Sequence, residues 1–148
     1  MWSIGCIFAE LLGRNPIFPG DHYLDQIQKI TSVLGSPTNE DLEFVTKKEA
    51  RDFVLKLTKK KGKPFSLLFP NANPLALDLL SKMLIFNPHR RITIEECIKH
   101  DYFKGLHDPA EEPVCTETFD WSFDDLVLTK ENLQKMVYEE SLHFHPEP

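Results

Sequence analysis

The chain has 148 residues, 41% of them hydrophobic and 27% charged, which fits one soluble globular domain able to bury a core. Its net charge of −6 argues against a general nucleic-acid binder, and no apolar run approaches the ~20 residues of a membrane span. Cys6, Cys97 and Cys115 are odd in number and widely spaced, so they match no zinc or disulfide framework and point to a reducing compartment.

Residues 1–12 are apolar almost all round, with Trp2, Ile4, Ile7, Phe8, Leu11 and Leu12 broken only by Ser3 and Glu10. A helix of this kind has no solvent face and belongs in the middle of a larger protein. Gly13 is expected to end it, and Pro16 and Pro19 to begin a loop. Asp21 is placed to cap a second helix, in which Tyr23, Leu24, Ile27, Ile30 and Leu34 recur on one face. Gly35 supplies its stop and Ser36-Pro37 a turn. Thr38 and Asp41 have capping-box spacing. A third amphipathic helix is expected over about residues 47–57, with Ala50, Phe53, Val54 and Leu57 on its apolar side, before a solvated basic loop at residues 59–63.

Asn73-Pro74 is an N-cap followed by proline at the first helical position, and Leu75, Leu79, Leu80, Met83 and Leu84 follow as a buried helix. Asn87-Pro88 breaks it. Thr93 and Glu96 form a capping box, with Ile92 as the preceding staple residue, for a helix running to about His100. An acidic, proline-marked segment spans residues 105–128. Thr129 then caps a last helix with Leu133, Met136, Val137 and Tyr138 on its apolar side. No alternating strand pattern of useful length occurs. The expected fold class is therefore mainly α, with about seven helices and long connections.

Charge is sorted along the chain. Residues 47–63 hold Lys47, Lys48, Arg51, Lys56, Lys59, Lys60, Lys61 and Lys63, whereas residues 105–129 contain no Lys or Arg and hold Asp108, Glu111, Glu112, Glu117, Asp120, Asp124 and Asp125. Fields sorted this way select partners.

The order of these pieces resembles the C-lobe of the eukaryotic protein kinase fold, and the MAP kinase family specifically. The run from Trp2 to Leu12 looks like the central C-lobe helix, and Pro16-Ile17-Phe18-Pro19-Gly20 like the loop after it. Asn87-Pro88-His89-Arg90-Arg91-Ile92 looks like the stretch before the last core helix. Asp108-Pro109-Ala110-Glu111-Glu112-Pro113 resembles the common-docking motif of MAP kinases. On this resemblance residues 1–103 are part of a kinase C-lobe, with a MAP-kinase-type helical insert at about 38–65. Residues 104–148 are a C-terminal extension with the docking motif and a final helix.

The resemblance implies an intact parent that phosphorylates Ser or Thr in a proline-directed manner, using ATP and Mg²⁺, in the cytoplasm and nucleus. The Gly-rich loop, strand lysine, catalytic-loop Asp and Asn, and D-F-G Asp that this chemistry needs do not occur here. No catalytic, cofactor or metal-binding residue is therefore assigned, and the chain alone is expected to be inactive. What remains is docking. Asp108, Glu111 and Glu112 are expected to receive basic docking peptides of upstream kinases, phosphatases and substrates, since closely spaced carboxylates offer paired acceptors. Read from charge alone, the same cluster is an ordinary solvated loop. Tyr23, Leu24, Ile27 and Phe53 match a hydrophobic docking pocket, or equally pack two helices together. Trp2, Ile7 and Leu11 are expected in the core. Arg91 matches an arginine whose glutamate partner lies upstream of this chain, which would leave a buried charge unpaired. A docking or decoy module without catalysis, or a truncated product that does not fold, are the other readings. Neither nucleic acid nor membrane is expected as a partner.

Overall fold

In the computed structural model, which describes residues 1–146, helix α1 spans Trp2–Gly13. It buries Gly5 and Ala9, four residues apart on one stripe, against helix α5 (Pro74–Met83). Gly5 permits this approach, because a Cβ there would meet Leu84 Cδ2 at 2.9 Å and Met83 Cβ at 3.0 Å. The helix ends one residue later than expected. Arg14, not Gly13, adopts the left-handed conformation (φ 62°), and its N–H donates to Glu10 O at 2.7 Å. Gly13 serves packing instead, since a Cβ there would lie 2.7 Å from the Phe69 ring.

The expected all-round burial of α1 is corrected. Ile4, Ile7 and Leu11 are 48%, 60% and 62% exposed. They share the stripe opposite Gly5 and Ala9. A helix apolar on every side needs neighbours on every side, and the described chain covers one. Trp2 does pack inward, stacked on Phe18 with ring centroids 5.6 Å apart.

Helix α2 (Tyr23–Leu34) is capped by His22, whose Nδ1 accepts the Asp25 N–H at 3.3 Å. Asp21 was the expected cap. It contributes its backbone N–H instead, donated to Asp25 Oδ2 at 3.1 Å. The helix stops at Gly35, at φ 94°. Thr38 and Asp41 form their reciprocal pair, Thr38 N–H to Asp41 Oδ2 (2.9 Å) and Asp41 N–H to Thr38 Oγ1 (3.2 Å), but open only a 3-10 turn, Glu40–Leu42. Leu42 is wholly buried, and the Asn87 side-chain amide donates to Glu40 O at 3.2 Å, tying this turn to the loop after α5. Helix α3 covers Lys48–Lys56, and a single turn that sequence periodicity did not predict, α4, covers Phe65–Leu68.

Helix α5 starts as expected, with Asn73 Oδ1 accepting the Leu75 N–H at 2.8 Å and Pro74 at the first position. It divides the core. Leu80, with Leu84 just beyond the helix, faces one cluster with Ala9, Phe18, Ile30 and Phe69. Leu79 and Met83 face another with Cys97, flanked by Phe8, Ile92, Tyr102 and Phe103. Helix α6 (Ile94–Ile98) is short but has both capping-box bonds, Glu96 N–H to Thr93 Oγ1 (3.2 Å) and Thr93 N–H to Glu96 Oε2 (2.9 Å). Thr93→Ala removes an N-cap that holds a five-residue helix, and we expect a loss of about 1 kcal/mol in urea unfolding. A loss below about 0.3 kcal/mol would mean that packing of Cys97, not the cap, holds α6.

The described residues divide into two compact units, Met1–Asp108 and the part from Pro109 onward. The second unit contains a 3-10 turn, Ser122–Asp125, and helix α7 (Lys130–Phe144), capped by Thr129 Oγ1 accepting the Asn132 N–H at 3.2 Å. None of the α7 residues is buried, and Leu133, Val137 and Tyr138 of its expected apolar side are exposed. No strand occurs among the described residues, and no helix there is long and apolar enough to cross a membrane.

Candidate docking surfaces

The acidic motif begins where the first unit ends. After Phe103 the chain turns tightly, with the N–H groups of Leu106 and His107 both donating to Phe103 O at 2.8 and 3.1 Å. Gly105 has φ 88°, a conformation that favours glycine. Asp108 is the last residue of the first unit, while Glu111 and Glu112 belong to the second. Asp108 and Glu111 are exposed and Glu112 is half-buried. Three carboxylates thus fall within five consecutive residues outside any helix.

Of the four predicted hydrophobic docking residues, Tyr23 is 79% and Phe53 40% exposed, while Leu24 and Ile27 are half-buried. Tyr23, Leu24 and Ile27 stand in the first two turns of α2, and Phe53 stands on α3. The Tyr23 ring meets the edge of the capping His22 ring, with centroids 6.4 Å apart. Tyr23 and Phe53 are thus large apolar groups turned outward, one on each helix.

Arg91 is half-buried, and its guanidinium is satisfied without a carboxylate. Nε donates to Ile85 O at 3.0 Å and Nη2 to Phe86 O at 3.2 Å, and the group lies 4.9 Å from the Trp2 ring centroid. Two backbone carbonyls thus solvate the charge in place of a carboxylate. Burial pushes the Arg91 pKa down, and the nearby Cys6 opposes this. The Cys6 thiol is pushed up by burial, opposed by Arg91.

One constellation escaped the sequence reading. A cleft of about 500 Å³ on the first unit is lined in part by Asp78, Lys82, Arg90, Lys99 and His100. His100 Nδ1 accepts the Tyr102 N–H at 3.2 Å, which leaves the ring proton on Nε2 in the neutral form. That Nε2–H donates to Asp78 Oδ2 at 2.8 Å, and Lys82 donates to the same oxygen. These two hydrogen bonds, from Lys82 and then His100, hold the Asp78 carboxyl below its ordinary value. Only Asp78 and Lys82, four apart on a helix, carried a local signal. His100 joins them across 22 positions of sequence. The arrangement staples α5 to the chain after α6.

No three His, Cys, Asp or Glu side chains among the described residues converge to hold a metal ion. The sequence also has no G-x-G-x-x-G loop to cradle phosphates. No step of phosphoryl transfer is assigned to the described residues.

Comparison with known proteins places the architecture. The protein kinase domain family matches residues 1–103. The mitogen-activated protein kinase mpk-1 of Caenorhabditis elegans is 48% identical over 147 residues, covering 98% of this chain and 33% of that protein. Extracellular signal-regulated kinase 1 of Dictyostelium discoideum is 44% identical over 147 residues, covering 99% and 28%. Mitogen-activated protein kinase 3 of Arabidopsis thaliana is 40% identical over 146 residues, covering 99% and 40%. The chain thus spans less than half the length of each.

Proposed function

This chain belongs to the protein kinase family, with MAP kinases among its relatives, and from that we propose that it is the C-terminal portion of a proline-directed Ser/Thr kinase and serves as its docking surface. In the intact parent, residues outside this chain bind ATP and Mg²⁺ and carry out phosphoryl transfer in the cytoplasm and nucleus. Residues 38–65 form the family's helical insert. The exposed stripe of Ile4, Ile7 and Leu11 is where the remainder of that parent packs.

The observation that carries the docking role is the run of residues 105–129. It has no Lys or Arg, and it opens on Asp108, Glu111 and Glu112 in non-helical chain. Carboxylates this close bind a Lys/Arg-rich peptide chiefly by steering it and fixing its register. Upstream kinases, phosphatases and substrates that carry such peptides are the proposed partners. Tyr23, Leu24, Ile27 and Phe53 supply a second, apolar contact for aromatic-containing substrate segments.

The test is fluorescence anisotropy with a labelled Lys/Arg-rich docking peptide. Binding should be saturable and should weaken with added salt. Reversing Asp108, Glu111 and Glu112 to Lys should weaken it by at least about tenfold, ~1.4 kcal/mol. Unchanged affinity in the triple variant would remove the acidic motif from the docking role.

A further inference from the structure

Residues 47–63 hold eight cations against two carboxylates, Glu49 and Asp52, a net +6 inside a chain whose total is −6. Read from sequence, the segment 59–63 is a solvated tip. The structure gives it a fixed backbone. Lys60 N–H donates to Ser36 Oγ at 2.8 Å, and Ser36 N–H to Lys60 O at 3.0 Å. Lys63 N–H donates to Val33 O at 2.8 Å, and Lys60 Nζ to Gln28 O at 3.3 Å. Gly62 makes the approach possible, since a Cβ there would lie 2.6 Å from Leu34 O. The loop is therefore held along the C-terminal end of α2 by contacts that span 24 to 32 positions of sequence.

Fixing the backbone leaves the charges outward. Lys59, Lys61 and Lys63 are exposed, and their ammonium groups form no ion pair among the described residues. Solvated lysines on a mobile tip lose rotamer and backbone freedom when they bind. Here the backbone share of that cost is already met by folding.

We infer that Lys59, Lys61 and Lys63 form a preorganised docking surface for a short acidic peptide segment of a partner protein. The sign is opposite to that of the proposed motif at Asp108, Glu111 and Glu112, so the surface takes partners which that motif repels. Charge distribution selects the class of partner. Outside residues 47–63 the rest of the first unit carries a net −4. At physiological salt the interaction between exposed charges decays over ~8 Å, so a short acidic segment sees the patch alone. A nucleic acid or an anionic bilayer extends past the patch and meets the acidic remainder.

The experiment uses the full chain and a short fluorescein-labelled peptide of Glu and Gly, read by anisotropy. Saturable binding that weakens with salt is expected. Lys59→Glu/Lys61→Glu/Lys63→Glu should lose at least about tenfold in affinity. The control Lys104→Glu/Lys130→Glu/Lys135→Glu makes the same change in net charge and should lose less than about threefold. A neutralised variant, Lys59→Gln/Lys61→Gln/Lys63→Gln, guards against misfolding and should fall between the wild type and the reversal, with an unchanged cooperative melt. Equal losses in the two reversed triples would reduce the effect to net charge and overturn the site. Tighter, lysine-dependent binding of phosphatidylserine vesicles or a DNA duplex would overturn the peptide class. A concentration-dependent dimer in sedimentation, lost in the reversal, would make a second copy the occupant and overturn the proposal too. Failure of the basic-peptide test leaves this result untouched, because the two probes carry opposite charge.

Discussion

Replacing Leu80 by alanine is expected to lower the free energy of unfolding by about 3 kcal/mol, read as a fall in urea midpoint at unchanged slope. Leu80 is fully buried and belongs to the core cluster with Ala9, Phe18, Ile30, Phe69 and Leu84, which joins α5 to α1, the loop after it and α2. Removing its isopropyl group forfeits transfer energy and leaves a cavity that the surroundings close only in part. Against the 5–15 kcal/mol of an ordinary domain, that is a large share. Leu75 is the internal control. It lies on the same helix but is 42% exposed, and alanine there should cost less than about 1 kcal/mol, since little area leaves water on folding. Equal losses at the two positions would mean that α5 does not divide the core as described. The comparison requires a cooperative transition, so a broad, non-cooperative melt of the wild-type chain would itself count against an independently stable fold.

The helices were legible where their signals are local. Asn73-Pro74, Thr93 with Glu96, Thr129 and Gly35 each act within four residues, and each does in the structure what its spacing predicted. Errors appear where a distant contact decides. Gly13 looks like a helix stop, but the Phe69 ring takes the space that its missing side chain leaves, and Arg14 makes the turn. His22 displaces Asp21 as cap because the ring nitrogen reaches Asp25 N–H while Asp25 returns a bond to Asp21. Burial in α1 departs from expectation for a related reason. Periodicity shows that a face is apolar but not whether anything covers it, and Ile7 and Leu11 lie on a face that the described chain leaves open.

The candidate sites follow the same division. Asp108, Glu111 and Glu112 are visible in sequence because five consecutive residues carry the whole signal. The basic loop was visible as charge, but its pinning to Ser36, Val33 and Gln28 was not, and the pinning turns a solvated tip into a surface. The staple of Asp78, Lys82 and His100 likewise depends on His100 capping the Asp101–Phe103 turn, which fixes the tautomer and aims Nε2 at α5.

Arg91 gives the second large effect. Sequence reasoning expected an orphaned charge there, in which case substitution by a neutral residue would be stabilising or neutral. The structure predicts the reverse. Arg91→Ala strips two charge-assisted bonds from the carbonyls of Ile85 and Phe86 and removes the cation from the Trp2 face. Bonds to a charged group contribute about 1.5–3 kcal/mol each when buried, and half-exposure reduces this, so a total loss of about 2 kcal/mol is expected. Arg91→Lys should recover little of it. A single ammonium keeps the charge, but it lacks the planar fork that reaches two successive carbonyls while lying against an indole. A double-mutant cycle with Trp2→Leu should give a coupling of about 0.5–1 kcal/mol for the ring contact. If Arg91→Lys were as stable as the wild type, charge alone would be holding the Ile85–Phe86 loop and the fork geometry would be incidental. If Arg91→Ala were more stable than the wild type, the burial that lowers the Arg91 pKa would outweigh its carbonyl bonds. The sign of that one substitution therefore decides whether Arg91 fastens this part of the chain or strains it.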